Sequence, residues 1–171
     1  MKIDTNISIE ETKRMINIAK EGRSNFDIMM KQYIIDIHDT VIKEYGGSYG
    51  VRDEALLESS AVAPYQSVFG QDLYPDNYFK AAKYMFDFAD YQIFVDGNKR
   101  TGLAVCEQFL QANDLELNMT EKEKYKLVMD IANKNINSVE ELAEIIKNNV
   151  KEYIPGQNIE NEVILDEMVL G

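Results

Sequence analysis

The chain has 171 residues, enough for one domain with a sizeable core and too few for two ordinary ones. Eighteen Lys and Arg against 30 Asp and Glu leave a formal net charge of −12, which argues against a general phosphate-tracking nucleic-acid binder and makes any anion site a local basic spot. One cysteine, Cys106, and one histidine, His38, permit no internal disulfide and make multi-cysteine zinc sites and Ser-His-Asp chemistry poor readings.

Charges are scattered from Lys2 onward with no apolar stretch behind them, so no secretory signal is expected at the N-terminus. No run approaches the ~18 apolar residues of a membrane span, and a reducing, cytoplasmic setting is the expectation. The elements read as mainly helical. Ser8-Ile9-Glu10-Glu11 fits a capping box, in which a hydroxyl and a carboxylate satisfy the orphan N–H groups of a helix start. After Asp27, Ile28, Met29, Tyr33, Ile34, Ile37, Val41 and Ile42 recur at spacings of three and four, which predicts a long amphipathic helix stopped by Gly46-Gly47. Asp53 is placed to cap a short helix that Pro64 ends. Residues 65–76 mix aromatics with Gly, Asp and Pro and predict a loop or small hairpin, the one place where a strand is expected.

From Asn77 the pattern Tyr78, Phe79, Ala82, Tyr84, Met85, Phe88, Ala89 is helical and nearly apolar all round, the mark of a central buried helix. A second central helix is predicted over 98–113, through Leu103, Ala104, Phe109 and Leu110. Thr120-Glu121-Lys122-Glu123 and Ser138-Val139-Glu140-Glu141 are two further capping-box patterns, with the last helix drawn over 138–152. The division that follows is one domain over 1–155, with an N-terminal helical extension in 1–30 and an acidic tail over 156–171.

Between the two central helices, residues 90–103 read DYQIFVDGNKRTGL. Lys99 and Arg100 fall in the first turn of a helix, where charge logic prefers acids. The pair makes sense if an anion sits there, held by unpaired N–H groups, the helix dipole and both cations, with Gly97 allowing close backbone approach. Asp96 is placed to hold a Mg²⁺ bridging phosphates. The plainer reading has Asn98 as a helix cap and the two cations pointing to water. The spacing does not match a Walker A loop.

The stretch Ile93-Phe94-Val95-Asp96-Gly97-Asn98-Lys99-Arg100-Thr101 resembles the active-site motif of the Fic/Doc proteins, His-x-Phe-x-(Asp/Glu)-(Gly/Ala)-Asn-(Gly/Lys)-Arg, and its Lys points to the death-on-curing (Doc) branch. IHDTVIKEYGGSYGVRDEALLESS and FGQDLYPDNYFKAA look like the lead-in of that branch, so the resemblance spans roughly 33–152. It implies an all-α helical bundle with a short flap hairpin beside the loop, and transfer of a phosphate-containing group from ATP to a protein hydroxyl. Fic members usually move AMP; the Doc branch is known for phosphoryl transfer onto a translation elongation factor, under control of a small antitoxin. Leu103, where AMP-transferring members carry a second arginine, favours the phosphoryl reading. Carried over by position, Asp96 binds Mg²⁺, Gly97, Asn98, Lys99, Arg100 and Thr101 hold the nucleotide phosphates, and Phe94 anchors the loop.

The resemblance breaks at the motif's first residue, where the family's proton-accepting histidine is replaced by Gln92. A carboxamide has no useful basicity near pH 7, and losing a positioned base costs about 10²–10⁴ in rate. The expectation is a transferase impaired or silenced at Gln92, with a non-catalytic nucleotide- or partner-binding relative as the alternative. His38 lies in an earlier helix and reads as an ordinary helix histidine, packed or half exposed. Arg52, in a Gly-Val-Arg-Asp loop, is a candidate substrate contact, with a salt bridge to a neighbouring acid as the plain alternative. Cys106 reads as buried and inert, and the aromatics of 78–91 as packing. The acidic tail could cover the basic loop.

Overall fold

The computed structural model describes residues 9–21 and 26–156; the Ser8 cap and the acidic tail beyond Gly156 lie outside them. Seven helices are present among the described residues: α1 (Ile9–Glu21), α2 (Phe26–Tyr45), α3 (Glu54–Val62), α4 (Asn77–Asp90), α5 (Asn98–Ala112), α6 (Glu121–Ala132) and α7 (Val139–Lys147). The mainly helical fold expected from the sequence is what forms.

Helices α4 and α5 are the centre. Tyr84, Met85 and Phe88 of α4 and Val105, Cys106 and Leu110 of α5 are essentially inaccessible, and every other helix packs against one or both of the pair, α3 only lightly on α4 and mainly on α2. Burying each of these large apolar side chains stabilises the fold by about 1.5–3 kcal/mol. Helix α1 seals one side of α5 and α2 with Met15, Ile16 and Ile18, and Thr12 Oγ1 and Tyr33 OH share a buried 2.8 Å hydrogen bond. On the other side α7 lays Leu142 and Ile146 against α4. Buried Asp87 is paired with Lys83 at 2.9 Å; burial nevertheless wins and pushes its carboxyl above the ordinary range.

The helix starts follow the sequence signals closely. Asp53 Oδ1 accepts from Leu56 N at 3.0 Å, and Thr120 and Glu123 complete a reciprocal capping box. Ser138 caps α7 through Glu141 N, but Glu141 returns to Asn137 N rather than to the cap itself, so only half of that box forms. Pro64 does not stop α3 directly: α3 ends at Val62 and Pro64 lies inside a 3-10 turn, Ala63–Tyr65.

Two small antiparallel pairs complete the fold. The expected hairpin is there as β1 (Ser67–Val68) and β2 (Gln71–Asp72), leading into α4, which Asp76 caps. The second pair corrects the sequence reading: β3 (Leu115–Leu117) pairs with β4 (Val150–Glu152), where the last helix was expected to continue. Asn148 caps that helix, and Asn149 closes the turn after it, its N–H bonding Ile146 O at 2.9 Å and its carboxamide donating to Ile145 O at 2.7 Å. The three residues that follow bond to β3 instead.

Candidate functional site

The loop between α4 and α5 is held from the inside. Ile93 and Phe94 are buried, which pulls the chain inward immediately after exposed Gln92. Phe94 stacks on the imidazole of His38 with centroids 3.8 Å apart and planes at 7°, and lies 6.1 Å from the ring of Phe88. Beside it runs the segment 50–53, strand-like and antiparallel. Val95 N donates to Gly50 O at 3.0 Å, while Ile93 O accepts from both Arg52 N at 2.8 Å and Asp53 N at 3.1 Å.

Asn98 closes the turn. Its Oδ1 accepts from Phe94 N at 2.9 Å and its Nδ2 donates to Phe94 O at 3.0 Å, so both ends of the carboxamide are tied to the loop backbone. The plain reading of Asn98 as helix cap is thereby corrected. The cap is Gly97, in the left-handed conformation at φ 77° and ψ 17°, and it offers no side chain to the helix end. The first recurring bond of α5 runs from Thr101 N to Gly97 O at 3.0 Å. The N–H groups of Asn98, Lys99 and Arg100 have no acceptor among the described residues, the ordinary state of a helix start that lacks a side-chain cap.

Asp96 is fixed at three points. Its carbonyl accepts from His38 Nε2 at 2.8 Å; its Oδ2 accepts from Ser48 N at 3.2 Å and its Oδ1 from Gly97 N at 2.9 Å. The Ser48 bond depends on Gly47, because a Cβ there, at φ 115°, would stand 2.7 Å from Asp96 Oδ2. His38 is 1% exposed, with Nδ1 3.1 Å from Asp39 Oδ1. It is a buried helix histidine, as expected, yet it also supports the loop from beneath.

The two cations stand differently. Arg100 lies over the ring of Tyr45, 4.5 Å from its centroid, a contact that presents the planar guanidinium in one orientation. Lys99 makes no ion pair among the described residues, which leaves its ammonium free for an anion. Thr101, expected at the phosphate site, is wholly buried and its hydroxyl finds no partner among the described residues, so it does not reach the mouth of the loop. Gln92 Oε1 accepts from Arg52 Nη1. Arg52 therefore meets the position that departs from the motif, and among the described residues it makes no salt bridge to Asp53 or another acid.

Among the described residues no three His, Cys, Asp or Glu side chains cluster to hold a metal. Mg²⁺ commonly takes only one or two protein carboxylates and completes its shell with water and phosphate oxygens, and Asp96 fits that role, since each of its oxygens accepts one N–H and keeps further acceptor capacity. Cys106 is buried and its thiol is pushed well above the ordinary range by burial, so it stays protonated and inert.

Sequence reasoning did not find three supporting residues: His38 as the support of Asp96, Gly47 as the space beside its carboxylate, and Tyr45 as the platform of Arg100. The paired glycines at 46–47 were visible only as a helix stop. The other two carry no local signal, because their partners lie more than fifty residues further along the chain.

A bundle built around two buried helices, with a cationic, glycine-capped helix start at the loop that joins them, defines a mainly helical protein organised about that loop. Residues 28–110 match the family model described as the Fic/DOC family, a span that runs from α2 through the loop to nearly the end of α5. The chain is also 40% identical over 73 residues to the protein named Toxin Doc from Mycolicibacterium smegmatis (strain ATCC 700084 / mc(2)155), across 43% of this chain and 56% of that relative. The segment from α2 to nearly the end of α5 is thus similar to the Fic/Doc family. It matches just over half the length of that toxin.

Proposed function

We propose that the Asp96–Arg100 loop binds the phosphates of a nucleotide, ATP with Mg²⁺, in a Doc-type transfer of a phosphate-containing group to a protein hydroxyl, and that Gln92 leaves this chemistry impaired. The observation that carries the reading is the start of α5. Three consecutive N–H groups without acceptors among the described residues, the helix dipole, Lys99 and Arg100 stand together on a loop whose backbone is already fixed, the arrangement that favours a phosphate.

In this reading Gly97 lets the phosphate approach the backbone, Lys99 supplies a mobile point charge, and Arg100 a planar fork oriented by Tyr45. Asp96 holds the cation, whose contribution when bound is to neutralise charge on the phosphate oxygens. Phe94, Asn98 and His38 keep these groups in place, and positioning with charge stabilisation accounts for most of the rate in phosphoryl transfer. What is lacking is a base: Gln92 cannot take the hydroxyl proton, and His38 is buried with Nε2 committed to Asp96 O.

That lack supports a second reading, in which the loop binds a nucleotide or partner without transfer. The family resemblance and the toxin relative support a protein substrate, for the Doc branch one in the class of translation elongation factors, and a small antitoxin as partner. No described helix is long and apolar enough to cross a membrane.

The test is calorimetric titration with ATP and Mg²⁺ on the native chain and on Lys99→Ala/Arg100→Ala, followed by a labelled-ATP transfer assay on Gln92→His. The expected result is binding weakened at least tenfold in the double variant, with transfer gained on restoring histidine. Binding without any gain of transfer favours the non-catalytic reading, and no binding by the native chain contradicts the proposal.

A further inference from the structure

Position 92 has a partner outside its own loop. Arg52 belongs to the segment 50–53 whose backbone is hydrogen-bonded along the loop, with Arg52 N and Asp53 N both on Ile93 O and Gly50 O on Val95 N. Val51 faces Phe94 across the same pairing. These bonds involve main-chain groups next to buried Ile93 and Phe94, so they place Arg52 beside position 92 whatever side chain either carries. The guanidinium then donates from Nη1 to the Gln92 carboxamide oxygen.

We infer that Arg52 and position 92 form one unit, in which Arg52 is the positioning residue that orients the side chain at 92 and governs how readily a basic group there takes up a proton. The inference builds on the reading of the loop as the transfer site, because only there does the state of position 92 bear on chemistry. Two consequences follow from the donor inventory. Arg52 has donors and no acceptor, so the side chain at 92 must offer it a lone pair. With the carboxamide oxygen turned to Arg52, the Nε2 hydrogens point elsewhere, and Gln92 presents donors to a bound group: it suits an anionic or carbonyl oxygen better than a hydroxyl proton.

The second consequence concerns an imidazole at the same place. A guanidinium within hydrogen-bonding distance disfavours the imidazolium, so Arg52 would hold such a group in its neutral, proton-accepting form while lowering its basicity. Arg52 is therefore part of the base's electrostatics in a chain that has one, and in the native chain it is satisfied by glutamine. Other charged groups near this end of α4 are already committed: Asp90 is bonded by Lys134, Asp53 caps α3, and Asp96 is bonded by Ser48 and Gly97.

The experiment is an NMR titration of imidazole resonances in the full chain carrying Gln92→His, alone and combined with Arg52→Ala or Arg52→Lys. His38 is the chain's only native histidine, so the introduced imidazole is assigned by comparison with the native spectrum, and the His38 signal reports that each variant is folded. The introduced imidazole is expected to titrate below the ordinary value of about 6.5, to move up by about half to one pH unit with Arg52→Ala, and to stay low with Arg52→Lys, which keeps the charge. The same midpoint in all three variants overturns the inference, as does a downward move with Arg52→Ala. This readout needs no nucleotide, so a failure to bind ATP and a failure of the Arg52 coupling are separate results.

Discussion

Two exposed turns in this molecule share a left-handed glycine and little else. At the loop, Gly97 has φ 77°; at the hairpin tip, Gly70 has φ 76°. The first turn is bonded from four sides, by His38 and Ser48 on Asp96, by Asn98 on Phe94 and by Gly50 on Val95. The second is held by its own two-residue strands and one further bond, Leu73 N to Gln66 O at 3.0 Å, with Phe69 fully exposed at its tip. A site that must meet charge with fixed dipoles needs the first kind of turn, because dipoles already in place do not have to be reoriented when the charge arrives. The hairpin carries no such demand, and its sequence spends nothing on restraint.

The contrast can be broken most strongly from the inside of the loop. Phe94→Ala removes a buried ring stacked on His38 and is expected to cost about 3–5 kcal/mol, read as a fall in denaturation midpoint. Asn98→Ala comes next, since it leaves the Phe94 N–H and carbonyl without partners at about 1–3 kcal/mol for each group that water does not reach. The more specific sign of Asn98→Ala is faster hydrogen exchange at Phe94 with the core of α4 unchanged.

Gly47→Ala is expected to cost about 1–3 kcal/mol, because its φ of 115° is strained for any side chain and the new methyl would meet Asp96 Oδ2. If Asp96 holds the cation, that variant also weakens the Mg²⁺ dependence of nucleotide binding. Phe69→Ser should stay within about 0.5 kcal/mol of the native chain, and a larger loss would show that the hairpin is more firmly packed than its exposure indicates. Thr101→Val sharpens the comparison with the opposite sign: removing a buried hydroxyl that has no partner among the described residues is expected to leave stability unchanged or slightly raised. Nucleotide affinity should be unaffected, since Thr101 does not reach the loop mouth.

Much of this arrangement was legible in the sequence, for reasons that are local. Asp53, Thr120 and Ser138 declare helix starts through hydrogen bonds that span three residues, and the run Tyr78, Phe79, Ala82, Tyr84, Met85, Phe88, Ala89 declares a buried helix by the breadth of its apolar face. The loop was legible because two cations at a helix start need an explanation. Elements that failed did so where non-local bonding decides. Val150 continues the apolar stripe of Val139, Leu142 and Ile146 at helical spacing, so periodicity draws α7 through it. The strand partner that claims 150–152 lies at 115–117, and no local signal announces it.

Asn98 shows the same limit inside the site. As the first residue of a helix, asparagine reads as a cap; only the inward turn at Ile93-Phe94 reveals that its carboxamide is needed one turn earlier. Arg52 could be placed in a loop near the motif, but its meeting with Gln92 depends on a pairing across forty residues.

The central claim is that the start of α5 is a preformed phosphate site, and its most direct test is to follow the backbone amide resonances of Asn98, Lys99 and Arg100 while ATP and Mg²⁺ are added. The account predicts that these three amides shift together and saturably, that the amides of Ser67 to Asp72 shift far less, and that Lys99→Ala/Arg100→Ala abolishes the response. Amides of 98–100 that stay in place at millimolar nucleotide, or shifts that persist unchanged in the double variant, would contradict it.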